Sequence, residues 1–281
     1  GVVINGYNTY APYDNQTNGF GDFVIPTTDQ LTTWGNIVSL FLAASFDEAQ
    51  AAIDAAGFPY QVVIFNDTDS GISYRMLREI PNAEYYDDNG TTDTYDDESG
   101  AFAYGWGLYL YNPASSRPII VTVPHPCDDF PTPAFGWEAF QIWDGQFLLI
   151  NGAGREVKWT NSGTYTNTKS LSDPTRTANH PFNVCYKQFA DQLRAVFSMR
   201  EFSPQIHSYD WNYHPNYPNV QISAGYNRLC PNLPIRDLSS RKLDMINKGH
   251  HIMIPANTVG FHQEVTLNDF YGVNYSIYPF T

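Results

Sequence analysis

Three stretches of the chain carry residue types that could do chemistry together. The first is Val121-Thr-Val-Pro-His125-Pro-Cys127-Asp128-Asp129. Its apolar start, Ile119–Val123, reads as a buried strand, and an imidazole and a carboxylate follow three residues apart at the strand's end. That spacing can bring both groups to one cation and leave its other side open. Zinc accepts both ligand types, and a catalytic zinc keeps three protein ligands and a water. The same residues also suit an ordinary turn, because Pro and Asp favour turns. The second stretch is Pro204-Gln-Ile-His207-Ser-Tyr-Asp210, with His207 lying 82 residues after His125. A short strand ending in His207 would supply the third ligand of a two-His-one-carboxylate set. Otherwise His207 is a hydrogen-bonded structural histidine. Asp210 could orient the imidazole from outside the ligand set. The third stretch is Phe261-His-Gln-Glu264-Val-Thr-Leu, a further 57 residues on. A carboxylate among apolar neighbours resists ionisation, which suits a general base. A solvent-facing Glu264 on an edge strand is the alternative.

These groups need a frame to hold them. Phe46–Ala56 (FDEAQAAIDAA) predicts an amphipathic helix with acids in its first turn and Gly57 as its C-cap. Strands are expected at Val62–Phe65, Tyr74–Ile80, Tyr104–Tyr111, Ile119–Val123, Phe147–Ile150, Ser203–His207 and Phe261–Leu267. Helices are expected at Ala134–Trp143, Phe182–Phe197 and Ser239–Lys248. A polar loop is expected over Lys158–Thr177. Residues 1–35 are rich in Asn, Thr, Tyr and Gly, show no clear helical period, and are expected to cover the surface of the rest of the fold. Strands alternating with helices predict an α/β fold with a mixed, mostly parallel central sheet and helices on both faces. In such sheets ligands bind beyond the carboxyl ends of the strands. One domain over residues 1–281 is expected, with an N-terminal decoration over 1–60 and a core over 115–270.

Composition narrows the function. With 29 acids against 15 bases, the net charge is −14, which leaves little positive charge for phosphates and excludes a nucleic-acid partner. No run of 18 apolar residues occurs, so membrane insertion is not expected. The three cysteines do not make a disulfide framework, although Cys185 and Cys230 could form one bridge. The chain opens at Gly1-Val2-Val3 without a Met, as a processed or truncated chain would, and its few Lys and many Asn, Thr and Tyr lean towards a secreted or periplasmic protein. The segment 87–98 (DDNGTTDTYDDE) holds six acids in twelve residues and reads as a solvated loop or a calcium site. Aromatic Tyr209–Asn219 could line a substrate pocket beside His207 or cover a core edge.

The order His-x-x-carboxylate, later His after a strand, and late Glu resembles that of the zinc carboxypeptidases. It is similar also to their relatives, the succinylglutamate desuccinylases and N-formylglutamate amidohydrolases. The strand running into Pro124-His125-Pro126, Thr132 after the acids, and the stretch FLLINGAGR look like this group, over roughly residues 115–270. The resemblance implies a zinc-dependent amide hydrolase acting on a small peptide or acyl-amino acid. His125, Asp128 and His207 would be its zinc ligands and Glu264 its general base, with Asp129 a substitute for Asp128. Arg155 and Arg176 would polarise the scissile carbonyl or hold a substrate carboxylate. Pro124–Asp129 also looks like the His-Pro-Asp-Asp-Glu motif of zinc-dependent N-acetylglucosaminyl deacetylases, but Cys127 stands where their base would be. The contrasting class is a non-catalytic protein that binds carbohydrate or peptide on its aromatic surface, with calcium in the acidic loop.

Overall fold

The computed structural model describes residues 23–87, 98–126, 129, 132–155, 157–158, 171–198 and 201–207, together with the pairs 220–221 and 252–253. The chain divides into two units, Gly1–His207 and Ser208–Thr281. In the second, the described part is the parallel pair β8 (Val220–Gln221) and β9 (Ile252–Met253). The helix expected at 239–248, the strand expected at 261–267, Asp210 and Glu264 all lie outside the described residues.

The first unit opens with two helices. In α1 (Thr28–Leu42), Thr27 and Gln30 form a reciprocal capping box, and Trp34, Ile37, Val38 and Phe41 are buried at helical spacing. In α2 (Phe46–Ala56), Asp47 and Glu48 occupy the first turn, and Gly57 ends the helix with φ 65°. The helix expected over 46–56 therefore forms with those bounds. Residues 28–35 differ from expectation, since they belong to a helix and insert Trp34 into the interior rather than cover it. A capping box and four apolar side chains on one face outweigh the polar composition of the flanking segment.

Strands β1 (Tyr60–Asn66) and β2 (Ser73–Glu79) come next, then a separate hairpin of β3 (Pro81–Asp87) and β4 (Glu98–Phe102). The interior of the acidic segment, 88–97, is outside the described residues. After the hairpin come β5 (Leu108–Tyr111), β6 (Arg117–Val123), α3 (Thr132–Ile142), β7 (Gly145–Ile150) and α4 (Pro181–Phe197). Residues 104–107 are not part of the expected strand, because Gly105 and Gly107 take positive φ of 70° and 108° and turn the chain before β5. The sheet order is β1-β2-β5-β7-β6. Only β6 and β7 run parallel, and the other three pairings are antiparallel. The fold is thus α/β with a mixed sheet. The expected parallel majority is corrected by the three antiparallel pairings, of which β1–β2 is joined by a link too short for the crossover that a parallel pair requires.

Alternating side chains serve two covers. Tyr74, Met76, Leu110, Val121, Val123, Leu148 and Ile150 pack together with Phe140 of α3. On the other face, Phe147 stacks on Phe189 of α4 at 4.2 Å between ring centroids, and Tyr109 meets Trp34 of α1 and Phe182 of α4. Cys185 of α4 is a buried free thiol that accepts the Trp34 indole N–H at 3.2 Å. Cys230, the candidate partner for a bridge, lies outside the described residues.

Glu79 is fully buried at the end of β2. Its carboxylate accepts the main-chain N–H of Tyr104, Gly105 and Trp106 and the Tyr60 hydroxyl. Burial pushes its pKa up to about 7 in spite of these donors. The folded chain thus holds this proton more tightly than the unfolded chain does. The stability it contributes is full below about pH 4.5 and is lost as pH rises through about 7. The loss is about 3 kcal/mol. Between pH 5 and pH 8 the unfolding free energy from urea titration should fall by most of that amount more in the wild type than in Glu79→Gln; equal changes would show that Glu79 ionises freely in the fold. Replacing Phe189 by Ala should destabilise by about 3–5 kcal/mol in the same assay, because both rings of its stack are fully buried.

Candidate metal centre

The residues Phe202–His207 run alongside β6. Ile120 N donates to Phe202 O at 3.0 Å, Thr122 N to Pro204 O at 3.0 Å, and Ile206 N to Thr122 O at 2.9 Å. Isolated parallel bridges at Ile119–Phe202 and Thr122–Gln205 mark the same register. Two strand-like segments therefore point the same way, and His125 and His207 leave them at the same end. Their ring centroids are 5.1 Å apart.

Past His125 the chain turns helically, with Asp129 N donating to His125 O at 3.0 Å. A separation of four residues on such a turn puts two side chains on one face. Asp129 Oδ2 lies 3.4 Å from His125 Nδ1 and 2.8 Å from His207 Nδ1. Ligand atoms from His125, Asp129 and His207 all fall within 4.8 Å of one another, so the three could hold a metal ion. Of the two acids left open by the sequence, Asp129 is the one brought to both histidines. Asp128 is outside the described residues.

The far sides of the imidazoles are also engaged. His125 Nε2 lies 3.0 Å from Asp173 Oδ1, and His207 Nε2 lies 3.1 Å from Gln205 Oε1. A carboxylate only accepts, so His125 Nε2 carries its proton there and leaves Nδ1 facing Asp129. That Nδ1 is buried and has no hydrogen-bond partner. An orphaned ring nitrogen beside a carboxylate, with the opposite nitrogen held by a second carboxylate, is the donor arrangement a metal ligand needs.

Asp173 is built into a tight turn. Its Oδ1 also accepts from Thr175 N at 2.8 Å and from the Thr175 hydroxyl, and its Oδ2 pairs with Arg176 Nε at 3.1 Å. Asn183 of α4 donates to Pro174 O and Thr177 O, both at 2.8 Å, and ties this turn to the helix. His180 caps α4 by accepting Phe182 N, and burial takes its pKa down to about 3, so it stays neutral. Arg155 reaches Asp129 Oδ1 from the turn after β7. Ser172 Oγ donates to Gly154 O at 2.9 Å and joins that turn to Asp173.

The charges set one another. Burial raises the pKa of Asp129 and Asp173, but Arg155 and the two histidines outweigh it at Asp129, and His125 and Arg176 outweigh it at Asp173. Both carboxylates stay ionised well below the usual range. Burial and Arg155 pull His125 down, yet Asp173 and Asp129 leave it raised overall. Burial dominates at His207 and lowers it to about 4, so its ring is neutral at pH 7.

The structure thus brings together His125, His207, Arg155 and Arg176, with Asp129 as the shared carboxylate. Glu264 is not among the described residues. Sequence reasoning missed Asp173, which lies inside the stretch expected to be a polar loop. Its signal was the turn DPTR ahead of the helix start at His180-Pro181. No family model, curated protein or solved structure matches the chain.

Asp173→Asn should weaken divalent-metal affinity by about 10–100-fold, because it loosens the hold on His125 Nε2. Asp129→Ala should abolish binding. Competition against a chromophoric chelator measures both, and wild-type affinity in Asp173→Asn would remove Asp173 from this role.

Proposed function

We propose that the chain is a zinc-dependent hydrolase of amide bonds, with His125, Asp129 and His207 as the zinc ligands. The observation that carries this reading is the buried His125 Nδ1, which has no hydrogen-bond partner and faces Asp129 while Asp173 holds the other ring nitrogen. Two imidazoles and one carboxylate suit zinc, and three protein ligands fit a catalytic rather than a structural site. A mixed sheet with the cluster at the carboxyl end of β6 supports grouping the chain with the zinc-carboxypeptidase-like hydrolases.

Zinc bound here would polarise a scissile carbonyl and lower the pKa of a water. Asp173 and Gln205 hold the two imidazoles by their outer nitrogens. Arg155 fixes Asp129. Its side chain is 23% exposed, against 6% for Arg176, which supports Arg155 as the proposed cation for a substrate oxygen. Arg176 acts on Asp173 and so serves the frame. Glu264 is proposed as the general base that takes the proton of the attacking water and passes it to the leaving amine. The substrate is proposed to be a small peptide or an acyl-amino acid, with Arg155 receiving its carboxylate. Among the described residues no helix is long and apolar enough to cross a membrane. A secreted or periplasmic setting is proposed from composition.

Elemental analysis of purified protein should give about one zinc per chain, with the metal lost in His207→Ala. Glu264→Gln should keep the zinc and lose turnover on a panel of acyl-amino acids and peptides. Absence of metal after zinc is supplied would overturn the hydrolase reading, and near-normal turnover in Glu264→Gln would remove that residue as the base.

A further inference from the structure

The metal cluster rests on two turns that rest in turn on a third. Asn151 N donates to Val123 O at 3.0 Å, just ahead of His125, and its side-chain amide donates to Ser172 O at 3.2 Å, just ahead of Asp173. Four residues on, Arg155 holds Asp129. Beneath Asn151 and Gly152 the main chain of residues 104–107 passes with no space between. A Cβ at Gly152 would overlap Gly107 N and lie 2.7 Å from the carbonyl carbon of Gly105. A Cβ at Gly107 would overlap Ile150 O and lie 3.1 Å from Gly152 N. Contact of main chain with main chain transmits displacement, because neither side has a rotamer to absorb it.

One buried side chain fixes the lower segment. Three successive amides, those of Tyr104, Gly105 and Trp106, converge on the Glu79 carboxylate. Such a concave run of N–H groups is an anion-binding nest, here filled from inside the fold. The Tyr60 hydroxyl bridges Glu79 to Gly107 O at 2.8 Å, the Tyr109 hydroxyl donates to Trp106 O, and the Trp106 indole donates to Val24 O at 2.7 Å. The ionisable groups facing this carboxylate are Tyr60 of β1 and Tyr109 of β5. Among the described residues no cation acts on it. An ion pair is therefore not what keeps a carboxylate at this position; the amides are.

We propose that Glu79 is a positioning residue for the metal cluster, clamping residues 104–107 beneath the Asn151–Arg155 turn that carries Arg155 and braces Asp173. This rests on the metal-binding reading of His125, Asp129 and His207. Two measurements on Glu79→Gln test it: zinc affinity by chelator competition, and amide hydrogen exchange of the metal-free protein. A Gln at position 79 faces one of the three amides with its own N–H₂, so the clamp opens at that point. Exchange should quicken in 104–107, 150–155 and 171–176, and zinc should bind about 10-fold more weakly or worse. Ile53→Ala, in buried α2, serves as a control of similar destabilisation and should leave both readouts unchanged. Wild-type zinc affinity in Glu79→Gln, or faster exchange confined to 104–107, would overturn the proposal. So would an equal loss of zinc in Ile53→Ala. If the wild type itself binds no zinc, the metal-binding reading fails, and exchange still decides whether Glu79 braces the Asn151–Arg155 turn. Should Glu79→Gln not fold, Glu79→Asp keeps the charge but shortens the reach, and the same two readouts should move in the same direction.

Discussion

Parallel hydrogen bonds between β6 and the residues Phe202–Ile206 align two chain segments that are far apart in sequence, and both end in histidine. Everything at the centre depends on this register. A slip of one residue would carry His207 to the other face of the sheet. The helical turn after His125 then sets Asp129 between the two rings, where a plain extended exit would have carried it away. Position is therefore decided by main-chain geometry, and the chemistry comes from the side chains brought to it.

The centre concentrates charge in a place that disfavours it. Asp129 and Asp173 are almost wholly buried, and each is held ionised by a guanidinium and an imidazole. Buried pairs of this kind seldom add net stability over well-packed apolar groups, because desolvation offsets their attraction. Their use lies in fixing orientation. The same low-dielectric surroundings keep the His207 ring uncharged at ordinary pH, the form in which an imidazole ligates a metal. The surrounding turns serve the centre by adding the Thr175 donors to Asp173 Oδ1 and by tying the Arg155 turn to it.

Much of this was legible in the sequence, for identifiable reasons. Helix α2 announced itself by first-turn acids and a terminal Gly, and α4 by the spacing of Phe182, Tyr186, Phe189 and Leu193, all of them buried. His125 stood out because it follows the apolar run Ile119–Val123, and His207 because it closes a short stretch that reads as a strand. Helix α1 was hidden by the Asn- and Thr-rich stretch that precedes it, although Thr27 and Gln30 had the capping spacing. The place of Asp129 beside both rings comes from the i→i+4 turn after His125, which no residue pattern specifies. Asp173 was missed because its role comes from contact with His125, 48 residues away, while the local DPTR pattern marks only a turn ahead of a helix. The antiparallel half of the sheet was misjudged because alternation reports burial and says little about strand direction.

The meeting of Gly107 and Gly152 has a consequence for how this sequence can vary. Most tight packings are reciprocal, so that a larger residue on one side can be accommodated by a smaller one opposite. Here the obstacle on each side is the peptide backbone itself, which cannot be made smaller. No second-site change at either position can rescue an enlargement at the other. The two sites are therefore locked independently rather than as a covarying pair, and drift in this protein has to pass around them.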